Sequence, residues 1–179
     1  MAVDSRWILK IVLCGPSLVG KTCLCTRYVD GVFAGHTKKT IGVDFALKNM
    51  TLEPEPGKNI TLQLWDFAGE ARFKNVLPMY IGGTRGLLLS FDLSEPETLG
   101  ELPQWLEVIR PCIDDSVPIV LIGMKSDLEQ KTSQEEIDHF LKKEGIEHFM
   151  ACSSLTGTNV EETFVLITHA VVRQFSTIQ

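Results

Sequence analysis

The sequence contains no apolar stretch approaching the roughly 18 residues that a membrane-crossing helix requires, which excludes a helical span. Residues 1–7 carry Asp4 and Arg6 and no apolar core, so a secretory signal is not expected. No cysteine follows Cys152 and no basic cluster closes the chain, so no lipid anchor is expected within it. The five cysteines, Cys14, Cys23, Cys25, Cys112 and Cys152, form an odd, scattered set with neither a disulfide framework nor zinc-ligand spacing. They are expected to be buried thiols of a reducing compartment. The four histidines likewise have no partner at metal-ligand spacing. Positive charge is in deficit: the net charge of −6 argues against nucleic-acid or general anionic-membrane binding, and leaves room for one local basic pocket.

What is present fits one soluble globular domain over residues 1–179, with 44% hydrophobic and 22% charged residues. Apolar, β-branched runs alternate with helix-period segments, the pattern of an α/β domain with a largely parallel sheet. A strand over 8–14 is expected to lead to a helix over 21–30 closed by Gly31, and then to a polar, mobile loop over 32–40. Segments 41–52 and 60–65 should form an antiparallel hairpin around the turn-forming residues 53–58. A loop at 66–69, a short helical segment ending near Gly82 and Gly83, and a buried strand over 86–91 follow. The next helix should bury Leu102, Trp105, Leu106, Ile109 and Ile113 on one face. A strand over 119–122, a helix opened by a capping box at Ser133 and Glu136, and a short strand over 148–151 complete the pattern before the last helix. That helix places Val160, Phe164, Ile167 and Val171 on one stripe.

The first strand runs directly into Gly15-Pro16-Ser17-Leu18-Val19-Gly20-Lys21-Thr22, a GxxxxGK(S/T) phosphate-binding loop. The motif needs a buried strand before it and a helix after it, and both are expected here. Backbone N–H groups from Gly15, Ser17, Val19, Gly20, Lys21, Thr22 and Cys23 are expected to face a polyphosphate, aided by the positive end of the helix dipole. Lys21 supplies a point charge to the β- and γ-phosphates, and the Thr22 hydroxyl can ligate Mg²⁺. The alternative is a glycine-rich strand-to-helix turn with a solvated lysine. In an open parallel sheet the loops after the carboxyl ends of the strands hold the ligand. Among them, Trp65-Asp66-Phe67-Ala68-Gly69-Glu70 offers Asp66 either as a Mg²⁺ ligand or as the N-cap of the next helix.

The string Thr40-Ile41-Gly42-Val43-Asp44-Phe45, followed by Trp65-Asp66-Phe67-Ala68-Gly69, resembles a small GTPase of the Ras superfamily, and in pattern most of all the Rab family, over about residues 6–175. The resemblance implies an α/β domain of the P-loop NTPase type in three layers, with a mostly parallel six-stranded sheet and one antiparallel hairpin strand. It implies binding of GTP and GDP with Mg²⁺, the metal being held by Thr22, Thr40 and Asp66, and a Gly69 N–H on the γ-phosphate. Phe33 falls where the family keeps an aromatic against the base, or simply packs. Met124-Lys125-Ser126-Asp127 resembles the base-reading NKxD: Asp127 accepts from both the ring N–H and the exocyclic amine of guanine, and the Lys125 stem lies along the purine plane. Ser153, Ser154 and Leu155 align with the SAK element, with Ser154 donating its backbone N–H to the guanine oxygen. Residues 41–45, Trp65 and Tyr80 match a surface shown to effector proteins, although such aromatics are also ordinary core residues. An exchange factor and a GTPase-activating protein are implied partners, and the implied location is cytoplasmic, peripheral on membranes where a lipidated tail or a partner supplies the anchor.

Departures from that family pattern bear on mechanism. Glu70 stands where the family has the glutamine that orients the attacking water; an ionised glutamate only accepts hydrogen bonds and adds negative charge, so slow intrinsic hydrolysis is expected with Glu70, Lys21 and Gly69 as the catalytic set. Met124 replaces an asparagine and Leu155 a lysine around the base, which should loosen nucleotide retention. Leu18 either screens the phosphates or packs on a switch loop. Two functions compete: a nucleotide-driven switch, and a pseudo-GTPase scaffold held in one nucleotide state. A small-molecule kinase finds no support, since there is no arginine-rich lid.

Overall fold

A computed structural model describes residues 7–35, 39–52 and 59–177, with side chains through residue 174. Six strands form one sheet in the order β2-β3-β1-β4-β5-β6. They are β1 (Trp7–Cys14), β2 (Val43–Thr51), β3 (Asn59–Phe67), β4 (Gly86–Asp92), β5 (Ile119–Met124) and β6 (His148–Ala151). Only the β2–β3 pair is antiparallel; the other four pairings are parallel. The helices are α1 (Lys21–Asp30), α2 (Leu77–Tyr80), α3 (Glu97–Gly100), α4 (Leu102–Ile109), α5 (Gln134–Glu144) and α6 (Val160–Thr177). This is the expected mostly parallel, six-stranded α/β arrangement.

The alternation of β1 explains the layers. Leu9, Ile11 and Leu13 point into a core shared with Leu24 and Tyr28 of α1 and Phe164, Ile167 and Val171 of α6. Val12 and Cys14 point into a second core with Leu77 of α2, Trp105 of α4 and Ile137 of α5. The second half of β1 (Ile11 to Cys14) and Leu87 to Leu89 of β4 are buried on both faces, which is why these stretches read as continuous apolar runs rather than alternating ones. Tyr28 stacks on Phe164 at 3.8 Å between ring centroids, locking the last turn of α1 to α6.

Several boundaries differ from expectation for identifiable reasons. Asp66 and Phe67 remain in β3 rather than opening a loop, because they pair with Asp44 and Val43 of β2. The N-cap of the following 3-10 segment (Ala71–Val76) is therefore Glu70, which removes the capping role for Asp66. Ile41 precedes β2 and is 81% exposed. Helix α4 stops at Ile109, where Pro111 enters a 3-10 turn (Arg110–Cys112), and Ile113 is extended and only partly buried. The expected hairpin turn at 53–58 and residues 36–38 of the expected mobile loop lie outside the described residues. Cys14, Cys25 and Cys152 are buried as expected, but Cys23 and Cys112 are half-buried because they sit at a cleft margin and in a surface turn. The capping box is present: Glu136 N–H reaches Ser133 Oγ at 3.3 Å, and Ser133 N–H reaches Glu136 Oε2 at 2.7 Å. No helix of the described residues is long and apolar enough to cross a membrane.

Candidate nucleotide site

The loop after β1 is shaped by its contact with β4. A Cβ on Gly15, which has φ 137°, would lie 2.1 Å from the Ser90 carbonyl oxygen, so only glycine lets the loop cross the sheet this closely. The loop then enters α1, whose first turn holds no acidic residue and leaves its N–H groups facing the cleft. Lys21 is buried, and its Nζ donates to the carbonyls of Gly15 at 2.8 Å and Pro16 at 2.6 Å. Burial lowers the Lys21 pKa, opposed by the charge of Asp66. The ammonium is thus held at the centre of the loop.

Three oxygens from three separate segments converge next to it. The Thr22 and Thr40 hydroxyl oxygens are 2.8 Å apart, Thr22 donates to Asp66 Oδ2, and Thr40 Oγ1 lies 3.5 Å from the same carboxylate oxygen. Burial pushes the Asp66 carboxyl above the ordinary range, opposed by the Thr22 hydrogen bond and the Lys21 charge. Its second oxygen, Oδ1, is buried and has no hydrogen-bond partner. Two hydroxyls and a buried carboxylate with an unsatisfied oxygen suit a hard, oxygen-seeking cation, so these residues fit Mg²⁺. Gly69 closes this side: a Cβ there would lie 2.3 Å from the Pro16 carbonyl oxygen, so the chain after β3 rests directly on the phosphate-binding loop.

Lys21, Thr22, Thr40 and Gly69 border a cleft of about 300 Å³ at the carboxyl ends of the strands. Of the residues expected to touch nucleotide, Ser17, Gly20, Lys21, Thr22, Cys23, Phe33, Thr40, Gly69, Lys125, Asp127, Ser154 and Leu155 line it, together with Glu70. Gly15, Val19, Ser153 and Asp66 do not line it. Val19 is buried in the fold, while Ser153 and Asp66 act one contact further back. The Ser153 hydroxyl donates to Asp127 Oδ1 at 2.5 Å, tying the loop after β6 to the loop after β5. Lys125 forms a 2.5 Å ion pair with the buried Asp92 at the end of β4. Ser154 Oγ is buried in the cleft wall without a hydrogen-bond partner, a polar atom suited to a heteroaromatic ligand edge.

Other lining residues escaped the sequence reading. Lys39 and Gly35 line the cleft but carry no motif of their own, and Asp92 reaches Lys125 only because β4 and β5 are neighbours in the sheet. Leu18 lines the cleft in a left-handed conformation, φ 67°, and is 71% exposed, so it packs on little within the described residues. Met124 is 1% exposed, and its Cε comes within 3.3 Å of where a Gly20 Cβ would stand. The tie between β5 and the phosphate-binding loop is therefore apolar. Glu70 forms a 2.8 Å ion pair with Arg72.

On the neighbouring face, Phe45 meets Trp65 edge-on at 5.4 Å between centroids, and Trp65 lies 6.5 Å from Tyr80. Phe45 and Tyr80 are exposed and Trp65 is half-buried beneath Lys10, whose Nζ stands 4.0 Å from the Trp65 ring centroid.

A central parallel strand opening onto a glycine-bounded, lysine-centred loop, opposite a hydroxyl and carboxylate cluster, defines a phosphate-loop nucleotide-binding domain. Residues 10–173 match the Ras family, and the chain belongs to that family of small GTPases. It is 39% identical over 160 residues to the Ras-related protein RABA4b of Arabidopsis thaliana, covering 88% of this chain and 70% of that one. It is 35% identical over 171 residues to the Ras-related protein Rab-4 of Dictyostelium discoideum, covering 93% and 80%. It is 36% identical over 169 residues to the GTP-binding protein ypt4 of Schizosaccharomyces pombe, covering 93% and 72%.

Proposed function

We propose that this chain is a single GTPase domain that binds GTP and GDP as a molecular switch with slow intrinsic hydrolysis, in a Rab-like role in membrane traffic. The observation that carries the reading is the convergence of Thr22, Thr40 and Asp66 beside the buried Lys21 ammonium. In this reading Thr22, Thr40 and Asp66 would hold Mg²⁺, which would supply positive charge against that of the bound polyphosphate. Lys21 and the N–H groups opening α1 bind the polyphosphate, and Gly69 offers its N–H at the γ-phosphate end. Asp127, held by Ser153, accepts the two guanine donors, while Lys125, held by Asp92, covers the purine face. Because Thr40 precedes β2 and Gly69 follows β3, loss of the γ-phosphate releases the two loops that flank the exposed Phe45 and Tyr80, which makes that face a nucleotide-dependent site for effector proteins. Exchange factors and GTPase-activating proteins act on the same loops in this reading, and membrane association is peripheral.

A second reading, a scaffold held in one nucleotide state, is favoured by Glu70 in the cleft wall and the apolar Met124 tie. Chromatography of the nucleotide released by denaturing the purified protein, repeated over hours of incubation, tests both. A switch carries guanine nucleotide and converts GTP to GDP over that time. A constant composition supports the scaffold, and the complete lack of guanine nucleotide binding contradicts both.

A further inference from the structure

Glu70 opens the 3-10 segment with an extended backbone, and its carbonyl accepts the Phe73 N–H at 2.9 Å. That turn brings Arg72 back toward Glu70, with Nε 2.8 Å from Oε2. The guanidinium carbon also lies 4.8 Å from the Phe73 ring centroid, a cation–π contact that narrows its freedom. The Glu70 side chain is 27% exposed and borders the same cleft as Lys21 and Thr40, whereas the Arg72 side chain is 69% exposed on the solvent side.

An ion pair this exposed contributes little to folding by itself. Its effect changes when a further anion enters the cleft. A carboxylate that lines a polyphosphate site repels the ligand, and a fixed guanidinium at hydrogen-bonding distance offsets much of that repulsion. The repulsion is larger for a nucleoside triphosphate than for a diphosphate, because Gly69 and Glu70 flank the end of the cleft where the terminal phosphate would lie.

Building on the guanine-nucleotide reading above, we infer that Arg72 is a positioning residue that neutralises Glu70 and so sets the preference of this chain for nucleoside triphosphate over diphosphate. Glu70 supplies the negative charge of the pair, and Arg72 tunes how strongly the terminal phosphate feels it.

The test is equilibrium binding of a non-hydrolysable GTP analogue and of GDP, both with Mg²⁺, to wild type, Arg72→Gln, Arg72→Lys, Glu70→Gln and the Glu70→Gln/Arg72→Gln pair. Arg72→Gln is expected to lower the analogue-to-GDP affinity ratio by roughly threefold to tenfold, less so at high salt. Arg72→Lys should recover most of that ratio, and Arg72→Gln should have no effect on it in the Glu70→Gln background. Equal losses for both nucleotides, an unchanged ratio, or the same drop without Glu70 overturns the role of Arg72. Failure of wild type to bind either nucleotide overturns the guanine reading, and this inference with it.

Discussion

The Nζ of Lys125 lies 2.5 Å from Oδ2 of Asp92, which fastens the loop after β5 to the buried end of β4. The other Asp92 oxygen accepts from the Ser94 N–H at 2.9 Å and the Ser94 hydroxyl at 2.7 Å, so the carboxylate is itself held in place. Asp92→Asn keeps the shape and removes the charge. It is expected to free the Lys125 side chain and speed labelled GDP release by about tenfold, the equivalent of roughly 1–2 kcal/mol for a charge-assisted contact. An off-rate equal to wild type in a folded Asp92→Asn protein contradicts the supporting role of Asp92.

Met124 bears on the same off-rate from the other side of the base loop. Its side chain is buried against the loop at Gly20 and supplies no hydrogen bond there, so Met124→Asn is expected to slow GDP release about tenfold to a hundredfold, roughly 1–3 kcal/mol. Release measured by loss of fluorescence from labelled GDP reads this directly. Equal rates in the two proteins contradict a role for the apolar tie in nucleotide release.

Glu70 lines the cleft and pairs with Arg72 as a carboxylate, so it can accept hydrogen bonds but cannot offer the donor that an amide would. Glu70→Gln is expected to raise single-turnover GTP hydrolysis severalfold, on the order of 1 kcal/mol in the barrier. Wild-type hydrolysis as fast as that of the variant shows that the carboxylate is not the limiting feature.

Far from the cleft, the capping box of α5 gives a pH signature. The Ser133 backbone N–H, and after it the Ser133 hydroxyl, hold the Glu136 carboxyl below the ordinary carboxylate range. A depressed folded-state pKa means stabilisation that is complete above the unfolded value of about 4.3 and is lost as pH falls through the lower folded value. Wild type is therefore expected to melt above Glu136→Gln at neutral pH, with the gap closing on acidification below about pH 4. A gap that stays constant across that range contradicts the linkage.

The fold was largely legible because its signals are local. Continuous apolar strands, the capping box at Ser133, Gly31 after α1 and the stripe on α6 each follow from neighbours in sequence. Lys21, Thr22 and Asp127 were likewise readable, since each sits in a string whose spacing has a chemical reason. Their supports were not: Asp92 reaches Lys125 across two adjacent strands, and Ser153 reaches Asp127 between two loops, contacts that depend on the order β4-β5-β6. The boundary at Asp66 was missed for a related reason, because the strand there is prolonged by its partner Asp44 rather than by its own propensity. The pairing of Glu70 with Arg72 depends on a tight 3-10 turn that neither residue type announces.

The most direct test is displacement of labelled GDP from the protein by unlabelled GTP or ATP, with and without a Mg²⁺ chelator. The Asp127 carboxylate and the Thr22, Thr40 and Asp66 cluster predict that GTP displaces the label, that ATP is at least about a hundredfold weaker, and that chelation weakens retention. Displacement by ATP as readily as by GTP, or retention indifferent to Mg²⁺, contradicts a guanine-nucleotide switch built on these residues.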